Sequence, residues 1–254
     1  MRHPDWLAPD WQMSAVGALM TTRAGGVSAA PFDSLNLRNG LGDDPAAVAH
    51  NLQVVREATG ARPVYLNQVH GRLVVRLTAA DVAEGAAIHD ADASVTNEPG
   101  IACVAQVADC LPVLFAAPDA RAVAAAHAGW RGLAAGVLDA TLQAVCEAGA
   151  CEPREVNVWL GACIGPTQFE VGPDVLAAFG AAPDSPRFRP HTAGKWMADL
   201  PGLARDRLDA AGARHIAGGN WCTVSEPSRF FSFRRDRVTG RMAAFIWIKP
   251  SRLG

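Results

Sequence analysis

A chain of 254 residues, 50% hydrophobic and 19% charged, carries enough apolar material for one large globular domain or two closely fused halves, which excludes disorder. Its net charge of -2, from 23 basic and 25 acidic residues, gives no overall positive field toward nucleic acid or an anionic membrane, so a small neutral or anionic ligand is the expected partner. Six cysteines without a Cys-x-x-Cys pair exclude a short disulfide framework and read as reduced thiols in a cytoplasmic setting.

Along the chain, Met1 to Trp6 place acidic and aromatic residues where a signal peptide needs a basic stretch and then an apolar run, so no export is expected. Ala15 to Thr22 and Val64 to Leu77 carry the branched and aromatic residues of strands, the second bent at His70-Gly71. Asp43-Asp44-Pro45 opens a helix through Ala46 to Thr59, with Gly60 just past its end. Short apolar runs at Ala91 to Thr96, Gly100 to Val107, Leu111 to Ala116 and Ala122 to Ala126 look like strands buried between layers. Gln106, Asp109 and Pro112 interrupt the longest apolar stretch, Ile101 to Ala117, so it belongs to a core and not to a membrane span.

Helical spacing follows over Ala134 to Ala148, a strand over Val156 to Leu160, and helices over Val171 to Phe179 and Asp199 to Ala211. Strands return at His215 to Cys222 and Arg241 to Ile248. Strands and helices intermix without regular βαβ alternation, which predicts an α+β fold, a layered sandwich of mixed β-sheets with flanking helices. No composition shift, linker or repeat divides the chain, so residues 1–254 are expected to form a single domain.

Three segments set a metal-ligand type beside glycine or a strand end: Asn67-Gln68-Val69-His70-Gly71, Ala108-Asp109-Cys110-Leu111-Pro112, and Ala126-His127-Ala128-Gly129-Trp130-Arg131-Gly132. A thiolate with two neutral imidazoles suits zinc, and three protein ligands leave a fourth position open, as a catalytic zinc requires. Spacings of 40 and 17 residues are too long for a local zinc finger, so only tertiary structure can join them. Taken singly, each also has an ordinary reading: a strand histidine satisfied by a neighbour, an inert buried thiol, a capping or core histidine.

Thr21-Thr22-Arg23-Ala24-Gly25-Gly26-Val27-Ser28 offers turning glycines beside an arginine able to clamp an anion, or a plain glycine-rich turn. Arg131, at a helix start, is a second anion candidate, with stacking on Trp130 as the alternative. Phe230 to Asp236 alternates aromatic and polar residues, which suits either a flat base or a buried strand edge. Gly161 to Pro166 has the look of a tight turn lining the same cleft, and Glu170 is either a general base or an acidic helix start.

Together these segments, with Ser34-Leu35-Asn36-Leu37 and Asp90-Ala91-Asp92-Ala93 followed by Thr96-Asn97, occur in the order of the YfiH family, once labelled polyphenol-oxidase laccases, and the chain resembles that family along nearly its whole length. The resemblance implies a cytoplasmic enzyme that cleaves adenosine, inosine or methylthioadenosine with phosphate and deaminates adenosine. It implies a sandwich of mixed sheets similar to a bacterial deamidase toxin. It places the family's metal ligands and catalytic centre on His70, Cys110 and His127, all present here, with Arg23 as a phosphate ligand and Arg131 as a weaker substrate contact.

The implied cofactor is zinc, with copper as the alternative. Zinc lowers the pKa of bound water to roughly 7, which suits deamination; in phosphorolysis, phosphate held by Arg23 attacks the ribose carbon as the purine leaves. The rival readings are a copper polyphenol oxidase, a metal-free Cys110–His127 hydrolase, a peptidoglycan precursor editing factor and a binding module. Multicopper chemistry favours many imidazoles in His-x-His pairs, and this chain has 7 histidines and no such pair.

Overall fold

Strands that read as unbroken apolar runs are those buried on both faces, because each successive side chain points into a different layer. A computed structural model describes residues 2–182 and 184–250. The chain opens with β1 (Val16–Met20), α1 (Pro45–Thr59), β2 (Arg62–Val64), β3 (Val74–Arg76), β4 (Ala93–Thr96), β5 (Ile101–Val107), β6 (Leu111–Ala116) and β7 (Val123–Ala128). Two helices follow in quick succession, α2 (Trp130–Ala135) and α3 (Val137–Gly149), and then β8 (Asn157–Leu160), β9 (Glu170–Val171) and α4 (Pro173–Ala178). The last part holds β10 (Phe188–Pro190), β11 (Trp196–Ala198), α5 (Leu200–Ala210), β12 (His215–Gly218), α6 (Phe233–Asp236) and β13 (Met242–Ile248).

Among the described residues the strands form three sheets: β1-β13-β5-β2, β12-β8-β6-β7-β4-β3 and the small β10-β11-β9. The two larger sheets are mixed, since β2 runs parallel to β5 while β13 runs antiparallel to it, and β3 and β12 are parallel additions to an antiparallel centre. They pack face to face. Ile101, Cys103 and Ala105 of β5 and Met242, Ala244 and Ile246 of β13 meet Leu114, Ala116, Val123 and Ala125 of the second sheet. The alternate residues Ala102, Val104, Phe245 and Trp247 face outward onto Leu35 and Leu37 of the loop before α1 and onto Val55 of α1. On the far side, Val113, Phe115 and Ala124 pack under Leu138, Leu142 and Val145 of α3 and Leu208 of α5. Full burial of a side chain such as Phe115 contributes about 1.5–3 kcal/mol. The result is helix, sheet, sheet, helix, the mixed-sheet α+β sandwich with flanking helices expected from the sequence.

Several elements differ in detail. The run from Val64 to Leu77 is not one bent strand: β2 and β3 lie in different sheets, and the segment between them, carrying His70 at φ 61, crosses from one to the other. The helix expected from Ala134 starts earlier, as α2, and restarts as α3 after Gly136 takes a left-handed φ of 98. At Val171 the chain is still in β9, and α4 begins only after Gly172. The strand expected over His215 to Cys222 stops at Gly218, because Gly218 and Gly219 turn with φ of 79 and 73. Ser232 caps α6 with its hydroxyl on the Arg235 amide, so the segment from Phe230 is a buried turn and a short helix, not a strand edge. The three-residue strands β10 and β11 are too short to show any alternation. Among the described residues no helix is long and apolar enough to cross a membrane.

Candidate metal centre and the two cavities beside it

The three candidate ligands arrive from three ends of secondary structure. Cys110 sits in the turn between β5 and β6, just after Asp109 at φ 95; His127 is the penultimate residue of β7; His70 lies on the crossing segment. Pairing of β6 with β7 sets Pro112 opposite His127, which brings the start of one strand and the end of the other to the same edge. Potential ligand atoms of His70, Cys110 and His127 all lie within 4.8 Å of one another, with the Cys110 thiol 3.9 Å from His70 Nε2. The imidazole rings meet edge to face with centroids 4.8 Å apart.

One buried carboxylate organises this cluster. Asp92 accepts from His127 Nδ1 at 2.8 Å and from the backbone amides of His70 at 2.9 Å, Gly71 at 2.6 Å and Val69 at 3.2 Å. Its backbone carbonyl also accepts from the His127 amide at 2.7 Å. The His127 ring is thereby oriented with Nδ1 outward, leaving Nε2 for the cluster, the usual carboxylate support of a ligating histidine. Burial pushes the Asp92 carboxyl up, but the hydrogen bonds from His127 and Gly71 outweigh it and the pKa falls below the ordinary value.

Glycines permit the approach. A Cβ on Gly129 would stand 2.8 Å from the His70 ring and 3.0 Å from the Cys110 thiol; one on Gly132 would stand 2.7 Å from the Gly71 carbonyl. The Gly129 to Gly132 stretch therefore wraps α2 tightly over the cluster, and that packing is the physical content of the glycines in this motif.

Electrostatically the cluster favours a thiolate. Burial alone would raise the Cys110 thiol, but the charge of His127 and hydrogen bonds with His127 and His70 lower it to about 6. Burial likewise opposes the charged form of His127, and the Cys110 thiolate and Asp92 raise its pKa to about 9. Tetrahedral zinc takes sulfur at about 2.3 Å and imidazole nitrogen at about 2.0–2.1 Å, so its ligand atoms stand roughly 3.5 Å apart. The separations found lie a small inward movement from that, and the softness of the donor set also fits.

Two cavities adjoin the cluster. One, of about 360 Å³, is lined by Arg38, Gln68, Gln106 and Arg241 together with His70, Cys110 and His127. The other, of about 300 Å³, is lined by Trp130, Arg131, Ile164, Phe169 and Arg234 and shares His70, Cys110 and Phe233 with the first. Asp109 locks the second wall: its carboxylate accepts from the Thr223 hydroxyl and the Arg234 amide, each at 2.6 Å.

The arginines expected at the site are placed unequally. Arg131 lines the second cavity with its guanidinium over the Trp130 ring at 4.2 Å. Arg23 lines neither cavity. Its guanidinium donates to the carbonyls of Asp33 at 2.8 Å and Pro227 at 3.0 Å, pairs with the Asp33 carboxylate at 3.0 Å and stacks on Phe231. The amides of the glycine-rich turn are also taken: Gly26 and Ser28 donate to Ser34 and Val27 donates to Asn51. That turn is tied into the fold, and the Arg23 guanidinium expected to hold phosphate is paired within it, away from both cavities. The Glu170 carboxylate faces His191 at 3.5 Å and lies outside both cavities. Phe230 and Phe231 are core residues; only Phe233, 46% exposed, reaches the site. Sequence reasoning missed Arg38, Arg241 and the role of Asp92. An acidic residue at the head of the apolar run to Thr96 was the one available signal, because a buried carboxylate requires partners.

Residues 17–249 match a family model described as multi-copper polyphenol oxidoreductase laccase. The chain is 48% identical over 248 residues to a purine nucleoside phosphorylase of Pseudomonas aeruginosa, covering 96% of this chain and 98% of that one. It is 47% identical over 247 residues to the purine nucleoside phosphorylase YfiH of Escherichia coli, covering 95% and 98%. Among solved structures, a Neisseria meningitidis protein aligns at 45% identity and a TM-score of 0.88 over 97% of this chain and all (100%) of that one. YlmD from Geobacillus stearothermophilus aligns at 34% identity and a TM-score of 0.91 over 98% of both.

Proposed function

Since the chain belongs to the family described as multi-copper polyphenol oxidoreductase laccase, whose relatives over nearly its full length are named purine nucleoside phosphorylases, we propose that it is a zinc-dependent purine nucleoside phosphorylase that also deaminates adenosine. The observation that carries the reading is the convergence of His70, Cys110 and His127, with His70 and Cys110 lining two adjoining cavities and His127 the first of them. One cavity carries Arg38 and Arg241 with no aromatic wall but Phe233, while the other sets the Trp130 and Phe169 rings beside Arg131, Arg234 and Arg237; the rings favour the second for a purine and leave the first for an anion.

His70, Cys110 and His127 would hold the metal, and a zinc ion bound there supplies Lewis acidity in a partly enclosed site. The chain's own residues do the rest. Asp92 keeps the His127 ring in its ligating orientation and fixes the crossing segment that carries His70. Trp130, Phe169 and Phe233 offer faces on which a purine can stack. Arg131 extends the rim of that cavity as a substrate contact. In phosphorolysis, a phosphate oxygen bonds to the ribose anomeric carbon as the glycosidic bond breaks. The bonding pair leaves on the purine, which takes a proton, and ribose 1-phosphate remains. In deamination, water adds at the amino-bearing ring carbon and ammonia leaves.

A metal-free Cys110–His127 hydrolase is the second reading, favoured by one observation: the pairing lowers the Cys110 thiol to about 6. The test uses metal-analysed protein with adenosine and phosphate, followed by chromatography of adenine, inosine and hypoxanthine. Wild type is expected to contain about one zinc per chain and to lose turnover to a chelator, with recovery on adding zinc. Cys110→Ala and His127→Ala should lose turnover while keeping the wild-type circular dichroism spectrum. Full activity in metal-free protein would favour the hydrolase, and recovery with copper but not zinc would replace the metal.

A further inference from the structure

We propose that Arg38 and Arg241 form the subsite for inorganic phosphate, in the cavity beside Cys110; this rests on the phosphorylase reading and supplies its anion site. Both arginines line the cavity of about 360 Å³ that also holds His70, Cys110 and His127, and no carboxylate lines it. Among the described residues neither guanidinium has an ion-pair partner. The Arg241 Nη1 donates to the carbonyls of Thr239 and Gly240, each at 3.0 Å, which anchors the group, and its guanidinium lies over the Phe233 ring at 5.9 Å.

The two are held together by design of the backbone. The buried side-chain oxygen of Asn36 accepts from the Arg38 amide at 3.1 Å and from the Arg241 amide at 2.9 Å, so one amide group ties residues far apart in sequence. Its nitrogen donates to the Arg38 carbonyl at 3.1 Å and to Asp43 at 2.9 Å. Burial and the charge of Arg38 both lower the Arg241 pKa, while Cys110 and Asp109 oppose that fall, so the like charges feel each other.

Two partly desolvated cations without a carboxylate between them are costly unless an anion completes the set. A phosphate, with its several acceptor oxygens, matches two guanidinium forks, and arginine is suited to that planar recognition. The other arginines near the site stand differently: Arg131, Arg234 and Arg237 line the neighbouring cavity, where Arg237 lies over the Phe233 ring at 5.7 Å. Arg23 is tied to Asp33 and Pro227, Arg234 donates to the Glu170 carbonyl at 3.0 Å, and Arg131 stacks on Trp130. Phosphate on the Arg38 and Arg241 side and purine on the Trp130 side leave the anomeric carbon at the seam, where His70, Cys110 and Phe233 are shared by both cavities.

The test titrates inorganic phosphate into metal-stripped and zinc-loaded protein by calorimetry, and measures adenosine phosphorolysis at varied phosphate. Wild type, Arg38→Ala and Arg38→Lys are compared, with Arg241→Gln as a further variant. Arg38→Ala is expected to weaken phosphate binding in the metal-stripped protein roughly tenfold or more, the size of a charge-assisted contact, with Arg38→Lys between the two. Its KM for phosphate should rise by a similar factor while its KM for adenosine changes far less. Should Arg38→Ala fold poorly, as read by its thermal unfolding, Arg38→Lys and Arg241→Gln carry the same comparison. Wild-type binding that the variants match, or no binding by wild type, overturns the subsite. Phosphate binding that the variants lose, in an enzyme that makes no adenine, keeps the subsite and rejects the phosphorylase reading instead.

Discussion

A thiol wedged between two imidazoles ionises on terms set by its neighbours, and Cys110 shows the sign. Its pKa is lowered to about 6 and that of His127 is raised to about 9, so in metal-free protein the thiolate and imidazolium coexist between those values. The pair's stabilisation is lost as pH falls through about 6, when the thiolate takes a proton, and as pH rises through about 9, when the imidazolium gives one up. Burial sends other thiols the opposite way: Cys103 and Cys146 are pushed up to about 12. In chelated protein, iodoacetamide at neutral pH is therefore expected to modify Cys110 ahead of Cys103 and Cys146, with a rate midpoint near pH 6, read by peptide mapping. Zinc should suppress the modification. A rate that climbs only above pH 8 would count against the pairing.

Elements deliver these residues by their ends. The β6–β7 pairing fixes Cys110 and His127 to one edge, and the segment from β2 to β3 brings His70 across from the other sheet. Asp92, immediately before β4, pins that segment through three backbone amides. Opposite it, the N-terminus of α2 closes over the cluster only because Gly129 has no side chain. Gly129→Ala is expected to push on the His70 ring and the Cys110 thiol, lowering stability by about 1–3 kcal/mol, as overpacking does. Zinc content measured by atomic absorption should drop below one per chain. Unchanged zinc content and melting temperature in that variant would show that the cluster has slack the geometry does not suggest.

For the molecule as a whole, the shared central layer matters most. β5, β13, β6 and β7 each contribute to the core between the sheets and to an outer core, so loss of one layer uncovers the next. We propose on this ground that the chain unfolds as a single domain. The metal would join both sheets, since His70 lies on the segment linking them while Cys110 and His127 flank the pair at the centre of the larger one. At a free zinc concentration 100-fold above its dissociation constant, binding adds about 2.7 kcal/mol. For a chain of this size that corresponds to a rise of roughly 5–10 °C in melting temperature. Differential scanning calorimetry of stripped and reloaded protein should show one transition moving upward by that amount. Two transitions, with only one responding to zinc, would mean that the layers are separate cooperative units.

Periodicity and end signals read from the sequence located α1, the buried strands β4 to β7 and the terminal strand β13, because a strand buried on both faces writes its environment into every residue. They also supplied the layered α+β class. Turn chemistry was less visible: a bend at His70-Gly71 could be read, but the left-handed Gly136, Gly218 and Gly219 break elements in places that hydrophobic pattern does not mark. The ligands His70, Cys110 and His127 could be picked out by residue type and neighbouring glycines, yet each also fitted an ordinary structural part. Proximity is a property of strand pairing and not of spacing, so only the fold could bring a thiol to 3.9 Å from an imidazole 40 residues away. The same reason hid Arg38 and Arg241, which are joined through one asparagine across 203 residues of chain. It also made Arg23 look free, when its carbonyl and carboxylate partners are supplied by segments that the sequence does not place beside it.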